Sequence, residues 1–136
     1  MELVLDASVI MKWFLPEKLS SKAIEFRQQH LSGKITLSAP CLLPFEIINA
    51  LATKSQIEKK VVLQAAKVFY FTKIKEHSLN ESLANTTVLM VKKYGLSAYD
   101  ASYVALAKKL SCKFITADKK LFNKIKSLKF AKLLKE

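Results

Sequence analysis

Four acidic residues have positions that suggest chemistry, because each lies in or directly after an apolar segment: Asp6, Glu46, Asp100 and Asp118. Glu46 and Asn49 are the only polar residues between positions 41 and 52, where the spacing predicts a helix, and Asp100 lies in a second, nearly apolar helix. An ionised carboxylate is not left unpaired in such surroundings, because it would shift its pKa and become neutral. Either these helices turn a polar stripe to water, or a cation meets the carboxylates.

The donor set indicates which cation would bind. Two unit charges about 4 Å apart repel by about 4 kcal/mol at an effective dielectric near 20, and a divalent cation turns that repulsion into binding. The donors are all carboxylate oxygens, with no His or Cys close to them in the sequence, which favours Mg²⁺ or Mn²⁺ over Zn²⁺. His30 ends a polar helix and His77 falls in a predicted turn, so we expect neither to take part.

Three of the four acids also have a purely structural interpretation. Asp6 and Asp118 each precede a predicted helix and could serve as its N-cap. Ser97 and Asp100 have the spacing of a capping box, in which the Asp100 carboxylate would bond back to the Ser97 amide. Glu46 has no such alternative, so it is the hardest of the four to explain without a cation.

Short apolar strands alternate with helices along the chain. This order is typical of a parallel sheet covered by helices on both faces, in which ligands bind at the carboxyl ends of the strands. Asp6 ends the first strand and Asp118 follows a later one, so both should lie at the same edge. The predicted strands are 3–5, 35–38 and 113–116, with a weak signal at 75–79 and an ambiguous one at 129–134. The predicted helices are 7–15, 20–31, 40–55, 58–75, 80–94, 98–110 and a short one that begins at Asp118.

The composition fits one domain spanning residues 1–136, with 51% hydrophobic residues and enough chain to bury a core. The two glycines form neither a G-x-G-x-x-G nor a G-x-x-x-x-G-K motif, which excludes these phosphate loops. Cys41 and Cys112 lie in apolar surroundings and are predicted to be core residues rather than a disulfide or zinc site. The first residues lack the pattern of a signal peptide and no apolar stretch of about 18 residues occurs, so we expect a cytoplasmic protein without a membrane span.

The formal net charge of +12 favours a polyanionic partner, either a nucleic acid or an anionic membrane surface. From Lys108 to the C-terminus there are ten lysines and two acids, Asp118 and Glu136, which gives a net charge of +8. A lysine-rich stretch is often only a solvated surface, but this one lies beside the acidic motif. Nucleic acid is therefore the favoured partner.

Four sequence blocks together resemble the PIN-domain ribonucleases, and specifically the VapC-type toxins of toxin–antitoxin pairs. The blocks carry the acids in order and cover nearly the whole chain. They are VLDAS at 4–8, PFEIINAL at 44–51, LSAYDASYVALA at 96–107 and FITADKKL at 114–121. The resemblance implies an α/β fold, a PIN-like three-layer α/β/α sandwich with a short, mostly parallel central sheet of four to five strands, formed by a single PIN domain over 1–136.

The resemblance also assigns roles to single residues. It matches Asp6, Glu46 and Asp100 to the three principal acids of the family. Asp118 matches a less strictly kept fourth acid, and together these residues would bind one or two Mg²⁺ ions. The positions matched beside the acids are Ser8, Asn49 and Thr116. The lysines expected to contact the RNA backbone are Lys119, Lys120 and Lys124.

The function implied is hydrolysis of RNA phosphodiester bonds by a water that Mg²⁺ activates, with Mn²⁺ as a substitute. Relatives of this kind pair with a VapB-type antitoxin that blocks the acidic pocket, and they commonly form homodimers. We predict a dimer interface on the apolar helices 40–55 and 58–75.

Two alternative functions have different requirements. A non-catalytic RNA-binding PIN domain would share the fold and the charge but lack some of the acids. A signalling receiver domain is also α/β with an acidic Mg²⁺ pocket. The receiver domain fits less well, because no acid follows the strand at 35–38 and a net charge of +12 would be unusual for it.

Overall fold

A five-stranded sheet lies at the centre of the molecule, with the strand order β3-β2-β1-β4-β5. The computed structural model describes residues 1–135. The strands are β1 (Glu2–Leu5), β2 (Thr36–Pro40), β3 (Lys75–His77), β4 (Lys113–Thr116) and β5 (Ala131–Leu133). Every neighbouring pair is parallel, so all five strands end at the same edge of the sheet.

Helices cover both faces of this sheet. Leu3, Val4 and Leu5 are all buried although consecutive strand residues point to opposite faces, so apolar groups pack against β1 from both sides. Within residues 1–135 the helices are α1 (Ala7–Ile10), α2 (Ser20–Leu31), α3 (Leu43–Ala52), α4 (Lys59–Thr72), α5 (Glu81–Tyr94), α6 (Ala98–Leu110) and α7 (Lys119–Ile125). Helix α6 lies deepest, packed across β1, β2 and β4 with every residue of 101–107 buried. The predicted α/β sandwich is confirmed.

The strand order has its switch point at the end of β1. The chain passes from β1 to β2 on one side, whereas β4 lies on the other. Parallel sheets bind ligands at the carboxyl ends of the strands at such a switch point, and this position is here termed the crevice. The Asp6 N–H donates to the Ile115 carbonyl at 3.4 Å and continues the pairing of β1 with β4 by one residue. Asp6 and the segment after β4 therefore lie side by side.

Several predicted elements have different bounds in the structure, among them the helix predicted over 58–75, which spans Lys59–Thr72. The helix predicted over 7–15 is shorter, because α1 tightens after one turn into a 3₁₀ segment that ends at Trp13. The helix predicted from position 40 begins at Leu43, since Pro40 still belongs to β2, where it lies opposite His77 of β3. The ambiguous C-terminal signal corresponds to β5.

Several side chains also lie where the sequence did not predict them. Cys41 is exposed rather than buried, because it follows β2 at the sheet edge, and Cys112 is half-buried. His77 belongs to β3 rather than to a turn. Val61 on α4 is 48% exposed although it is apolar, because that helix buries the face that carries Phe69. Across residues 1–135, no helix is long and apolar enough to cross a membrane.

The two helices predicted to form a dimer interface, α3 and α4, pack on each other and present large apolar side chains to solvent. The exposed fraction is 77% for Phe45, 45% for Ile48, 62% for Leu63 and 65% for Phe71. Exposed apolar surface of this kind marks interaction sites. The homodimer stays a prediction, and these side chains are its expected interface.

Replacing Ile48 and Leu63 together with Lys should convert the dimer into a monomer, because two charges would be buried in an apolar interface. Light scattering at high concentration should give about twice the chain mass of 15.4 kDa for the wild type and the single mass for the variant. Leu31→Lys, at a 53% exposed position on α2, is the control and should stay dimeric. A monomeric wild type would show the dimer prediction to be wrong.

Candidate active site

Asp6 is held at the sheet edge by three hydrogen bonds. Its Oδ1 accepts from the Ser8 hydroxyl at 2.5 Å and from the Val9 N–H at 3.3 Å. Its Oδ2 accepts from the Thr116 hydroxyl at 2.5 Å, across the gap to β4. Asp6 is the N-cap of α1, but the cap uses only one carboxylate oxygen. Asp6 therefore caps α1, as its structural interpretation predicts, but capping does not account for its second carboxylate oxygen.

Ser8 and Thr116 join the ends of β1 and β4. Their hydroxyl oxygens lie 3.3 Å apart. Ser8 Oγ accepts from the Ala117 N–H at 2.8 Å, and Thr116 Oγ1 accepts from the Asp118 N–H at 3.0 Å. Both hydroxyls therefore fix the orientation of the Asp6 carboxylate and the path of the chain towards Asp118.

Burial raises the pKa of Asp6 from 3.8 to about 6, and only 6% of this residue is exposed. The hydrogen bonds from Ser8, Thr116 and Val9 lower the pKa, whereas the charge of Asp100 raises it further. Desolvation is the largest of these effects, because the carboxylate loses water that its neutral partners replace only in part. A charged Asp6 is therefore costly in the absence of a cation.

Glu46 projects from the first turn of α3 and meets a buried phenol. The Tyr103 hydroxyl donates to Glu46 Oε1 at 2.5 Å, and Tyr103 is 1% exposed. Burial and the bond to Glu46 raise the pKa of Tyr103 far above its usual range, so the phenol stays a donor. Burial raises the pKa of Glu46, the Tyr103 bond lowers it, and the charge of Asp100 raises it.

Tyr103 is a site residue that sequence reasoning missed. It lies three residues after Asp100 on α6, which places the two side chains on neighbouring positions of one helix face. A tyrosine three residues after an acid in a nearly apolar helix could have indicated this role, because a buried tyrosine hydroxyl needs a hydrogen-bond partner.

Asp100 connects the other three acids. Burial is the largest cause that raises the pKa of Asp100, and the charge of Asp118 raises it further, while the Ser97 hydroxyl and the charge of Lys124 lower it. The charge of Asp100 in turn raises the pKa of Asp6 and of Glu46. The half-buried Asp100 carboxylate is thus electrostatically coupled to every other acid of the group.

The predicted capping box at the start of α6 is only half formed. Ser97 Oγ accepts from the Asp100 N–H at 3.1 Å. The predicted return bond is wrong, since within residues 1–135 the Ser97 N–H makes no hydrogen bond to the Asp100 carboxylate. That carboxylate therefore does not cap the Ser97 amide, and its interaction with Ser97 is through the hydroxyl, which lowers its pKa.

Asp118 is exposed and caps α7, because its Oδ1 accepts from the Leu121 N–H at 3.1 Å. Lys119 and Lys120 follow it in the first turn of α7, and both are exposed. Lys124 lies one turn further on, where its ammonium donates to the Gly95 carbonyl at 3.2 Å. These lysines therefore border the acids on the side of α7.

Asn49 was predicted to lie beside the acids, and His30 was predicted to take no part in the site. Asn49 is exposed one turn after Glu46, and across the part of the chain described its side chain bonds to none of the four acids. His30 is structural, as expected, because its Nδ1 accepts from the Leu37 N–H at 3.0 Å and ties α2 to β2.

The acids border the crevice without forming a compact cluster. In residues 1–135, no three His, Cys, Asp or Glu side chains are gathered closely enough to form a ready-made metal-ligand group. Like charges without a counter-ion repel, and the raised pKa values of Asp6, Glu46 and Asp100 each include such a contribution. The arrangement can hold negative charge in place, and a cation would relieve the repulsion.

The sequence pattern of the PIN domain matches residues 3–128 of the chain. The chain belongs to the PIN-domain family. This PIN domain is 32% identical over 133 residues to Ribonuclease VapC3 from Pyrobaculum aerophilum, and the match covers 94% of this chain and 98% of that protein. The resemblance predicted from the four sequence blocks is confirmed.

Solved structures with the same fold include two that match this PIN domain over nearly its whole length. A toxin–antitoxin complex from Klebsiella pneumoniae gives a TM-score of 0.69 at 16% identity, covering 96% of this chain and 95% of that chain. VapBC2 from Rickettsia felis, bound to a DNA fragment from its promoter, gives 0.72 at 9% identity, covering 99% of this chain and 100% of that chain. The family match excludes the receiver-domain alternative.

Asp6 should make the stability of the metal-free protein depend on pH. Its pKa is about 6 in the folded state and 3.8 without burial, so the folded state keeps a proton that the unfolded state has released. The free energy of unfolding should therefore fall as the pH rises between these values. The difference between the two pKa values corresponds to about 3 kcal/mol. Asp6→Asn lacks the charge, so its stability relative to wild type should rise by about 2 kcal/mol from pH 4 to pH 7.5.

Urea unfolding in EDTA across this pH range measures the effect. Glu25→Gln changes an exposed acid on α2 and should follow the wild type at every pH. A difference between Asp6→Asn and wild type that stays constant with pH would contradict the cost of burying this charge.

Proposed function

We propose that this PIN domain is a metal-dependent endoribonuclease that acts as the toxin of a toxin–antitoxin pair. The observation that carries the proposal is the group of four acids around one crevice, in which Asp100 is coupled to the other three. The similarity to Ribonuclease VapC3 over nearly the full length of both chains supports the same activity. The net charge of +12 fits a polyanionic substrate.

The acids fit a hard divalent cation, Mg²⁺ with Mn²⁺ as a substitute, because all donors are carboxylate oxygens. Burial and mutual repulsion raise the pKa of Asp6, Glu46 and Asp100, and a cation that binds the charged forms would remove that cost. Asp6 and Asp100 would hold the ion, and Glu46 and Asp118 would complete the site. When bound, the ion would supply an activated water and neutralise charge on the phosphate.

The side chains have distinct parts in the proposed hydrolysis. Water adds to phosphorus, the bond from phosphorus to the 3′-oxygen breaks, and the products carry a 5′-phosphate and a 3′-hydroxyl. A carboxylate of the group would accept the proton that the attacking water loses. Ser8 and Thr116 would keep Asp6 oriented through their hydroxyl hydrogen bonds.

Lysines on α7 would hold the RNA beside the acids. Lys119 and Lys120 are exposed directly after Asp118, and the charge of Lys124 reaches Asp100, whose pKa it lowers. Contacts of this kind bind phosphates and supply affinity and register rather than sequence choice. The substrate backbone would therefore cross the crevice towards α7.

The proposed partner is a VapB-type antitoxin. The similar structure from Klebsiella pneumoniae is a toxin–antitoxin complex. An Arg or Lys of the partner would form a charge-assisted pair with the carboxylates of the crevice and take the place of the metal. Binding of the partner would then inhibit cleavage by occupying the acids.

Asp100→Asn should strongly reduce the proposed activity, because the charge of this acid acts on all the others. Purified wild type should cleave RNA with Mg²⁺ or Mn²⁺ and stop with EDTA, and the variant should be slower by on the order of 100-fold. Calorimetric titration with Mg²⁺ should show binding to the wild type and weaker binding to the variant. Glu81→Gln, an exposed acid at the start of α5, is the matched control and should behave as wild type.

The same experiment separates the alternative of a non-catalytic RNA-binding PIN domain. That alternative predicts that the protein binds RNA without cleaving it, and that the calorimetric titration shows no binding of Mg²⁺. If Asp100→Asn cleaves as fast as wild type, the assignment of the site is wrong.

The α7 lysines should contribute to the salt dependence of RNA binding. The triple variant of Lys119, Lys120 and Lys124 to Ala should bind a single-stranded RNA more weakly at low salt. The slope of the logarithm of the binding constant against the logarithm of the salt concentration should fall by about 0.7 for each phosphate that the variant no longer neutralises. Lys34→Ala is the control, because Lys34 precedes β2 and lies at the opposite edge of the sheet. An unchanged slope in the triple variant would place the RNA elsewhere.

A further inference from the structure

Exposed lysines are concentrated on one side of the molecule, between the pair of helices α5 and α6 and the chain that runs from α7 to β5. Two cavities lie there, of about 500 Å³ and about 600 Å³. Lys108 of α6 lines both, so the two cavities form one groove. We term it the lysine groove, because six exposed lysines line it: Lys92, Lys93, Lys108, Lys113, Lys129 and Lys132.

The lysine groove carries positive charge without a counter-charge in its walls. In residues 1–135 no Asp or Glu lines either cavity, and the ion pairs involve Lys12 and Lys22 instead. Burial and the charge of Glu2 raise the pKa of Cys112 in the groove lining, but Glu2 itself accepts a hydrogen bond from the Ser38 hydroxyl at 2.8 Å. Like charges collected in one groove repel each other, so a bound polyanion would relieve the repulsion.

The groove begins beside the acids. Lys124 of α7 lies close enough to Asp100 for its charge to act on that carboxylate, and its ammonium donates to the Gly95 carbonyl at 3.2 Å. Gly95 directly follows Tyr94, which lines the first cavity. The lysines on α7 and those of the groove therefore form one continuous basic surface that leads away from the acids.

The far end of the groove is too distant from the acids for a small anion to reach both. Lys108 lies eight residues after Asp100 on α6, which is about 12 Å along the helix at 1.5 Å per residue. Lys113 starts β4 and therefore lies at the opposite edge of the sheet from the acids. One strand of a nucleic acid double helix carries a phosphate about every 3.4 Å along the axis, so three to four successive phosphates span this distance.

The shape of the groove favours a nucleic acid strand over a membrane. Lys92, Lys93 and Lys108 come from α5 and α6 on one side, whereas Lys129 and Lys132 come from the segment before β5 and from β5 itself on the other. A strand can lie between two such walls and meet lysines from both. The flat surface of a bilayer would touch only the rims.

The groove offers little for the recognition of bases. Its aromatic residues, Tyr94 and Phe130, are half-buried, and the Lys93 ammonium lies 5.5 Å from the centre of the Tyr94 ring. Sites that bind the bases of a single strand use exposed aromatic rings on which those bases stack. Contacts in this groove should therefore be made to phosphates, which supply affinity and register rather than sequence choice.

We propose that the lysine groove binds the phosphate backbone of the RNA several nucleotides away from the bond that is cleaved. The α7 lysines hold the RNA at the acids, and the groove holds the same strand further along its length. The inference rests on the proposed ribonuclease function and adds a second binding surface for the substrate.

Acetylation footprinting locates the RNA on the wild-type chain without any need for cleavage. The protein is treated with a lysine-acetylating reagent in EDTA, with and without a long oligouridine, and mass spectrometry gives the rate at each lysine. The RNA should slow acetylation of Lys108, Lys113 and Lys129 several-fold and leave Lys34 and Lys75, on the other side of the sheet, unchanged. Unchanged rates at the three groove lysines would overturn the proposal.

Replacement of Lys108, Lys113 and Lys129 together with Ala tests their contribution to binding. In EDTA, the slope of the logarithm of the binding constant for a long oligouridine against the logarithm of the salt concentration should fall by about 2, at about 0.7 for each of three phosphates. The control has the same change in charge at three exposed lysines near β3, the other edge strand: Lys34, Lys73 and Lys75. An equal fall in the control variant would show a general charge effect and overturn the proposal.

The length and the sequence of the RNA provide a second test with the same variants. The wild type should bind a long oligouridine more tightly than a uridine trinucleotide, and the groove variant should lose most of that gain. Oligoadenosine of the same length should show the same loss, because phosphates are contacted. A loss confined to one of the two sequences would contradict phosphate binding.

Two further outcomes separate this proposal from its alternatives. Vesicles of phosphatidylserine and phosphatidylcholine should not slow acetylation of the groove lysines, and protection by vesicles but not by RNA would identify a membrane surface and overturn the proposal. If the groove binds RNA in EDTA but no RNA is cleaved with Mg²⁺ or Mn²⁺, the groove stands and the ribonuclease proposal fails. Cleavage with no protection of the groove would have the opposite meaning.

Discussion

The buried carboxylate of Asp6 is the constraint on which the rest of the site depends. It ends the central strand of the sheet, and its two oxygens are bound from two sides, by α1 and Ser8 on one and by Thr116 on the other. These bonds fix the point at which the chain passes from β4 towards α7. Because burial raises the pKa of Asp6, the same bonds hold a group whose charged form would be more stable in water. The fold therefore keeps a costly charge at the carboxyl edge of the sheet.

All four acids lie at the start of a helix, and this common placement explains how they are tolerated together. Asp6 and Asp118 cap α1 and α7, and Glu46 and Asp100 occupy the first turns of α3 and α6. Helix N-termini carry a partial positive charge that favours carboxylates. Parallel strands end at one edge, and the helices that follow or pack on them begin there. The topology thus brings the four carboxylates to one edge of the sheet, and the helix N-termini there offset part of their mutual repulsion.

The sequence predicted what depends on local pattern and missed what depends on packing. Short apolar runs identified the strands that carry Asp6 and precede Asp118, because a parallel sheet buries its strands on both faces. Cys41 looked like a core residue because its neighbours are apolar, but its position after the end of β2 leaves it exposed. Tyr103 was missed because its partner Glu46 lies 57 residues away in the chain. The spacing within α6 marks Tyr103 as a buried phenol that needs a partner, but no local pattern identifies a partner at that range.

The hydrogen bonds within the site explain why structural and chemical roles coincide in these acids. Asp6 and Asp118 accept from backbone N–H groups and Glu46 accepts from the Tyr103 phenol, so the donors are neutral. The salt bridges within residues 1–135 join Lys12 with Glu17 and Lys22 with Glu25, and neither involves the site. Neutral donors orient a carboxylate without cancelling its charge. A helix cap is therefore not a competing interpretation of Asp6 and Asp118 but the means by which the fold holds negative charge at this edge of the sheet.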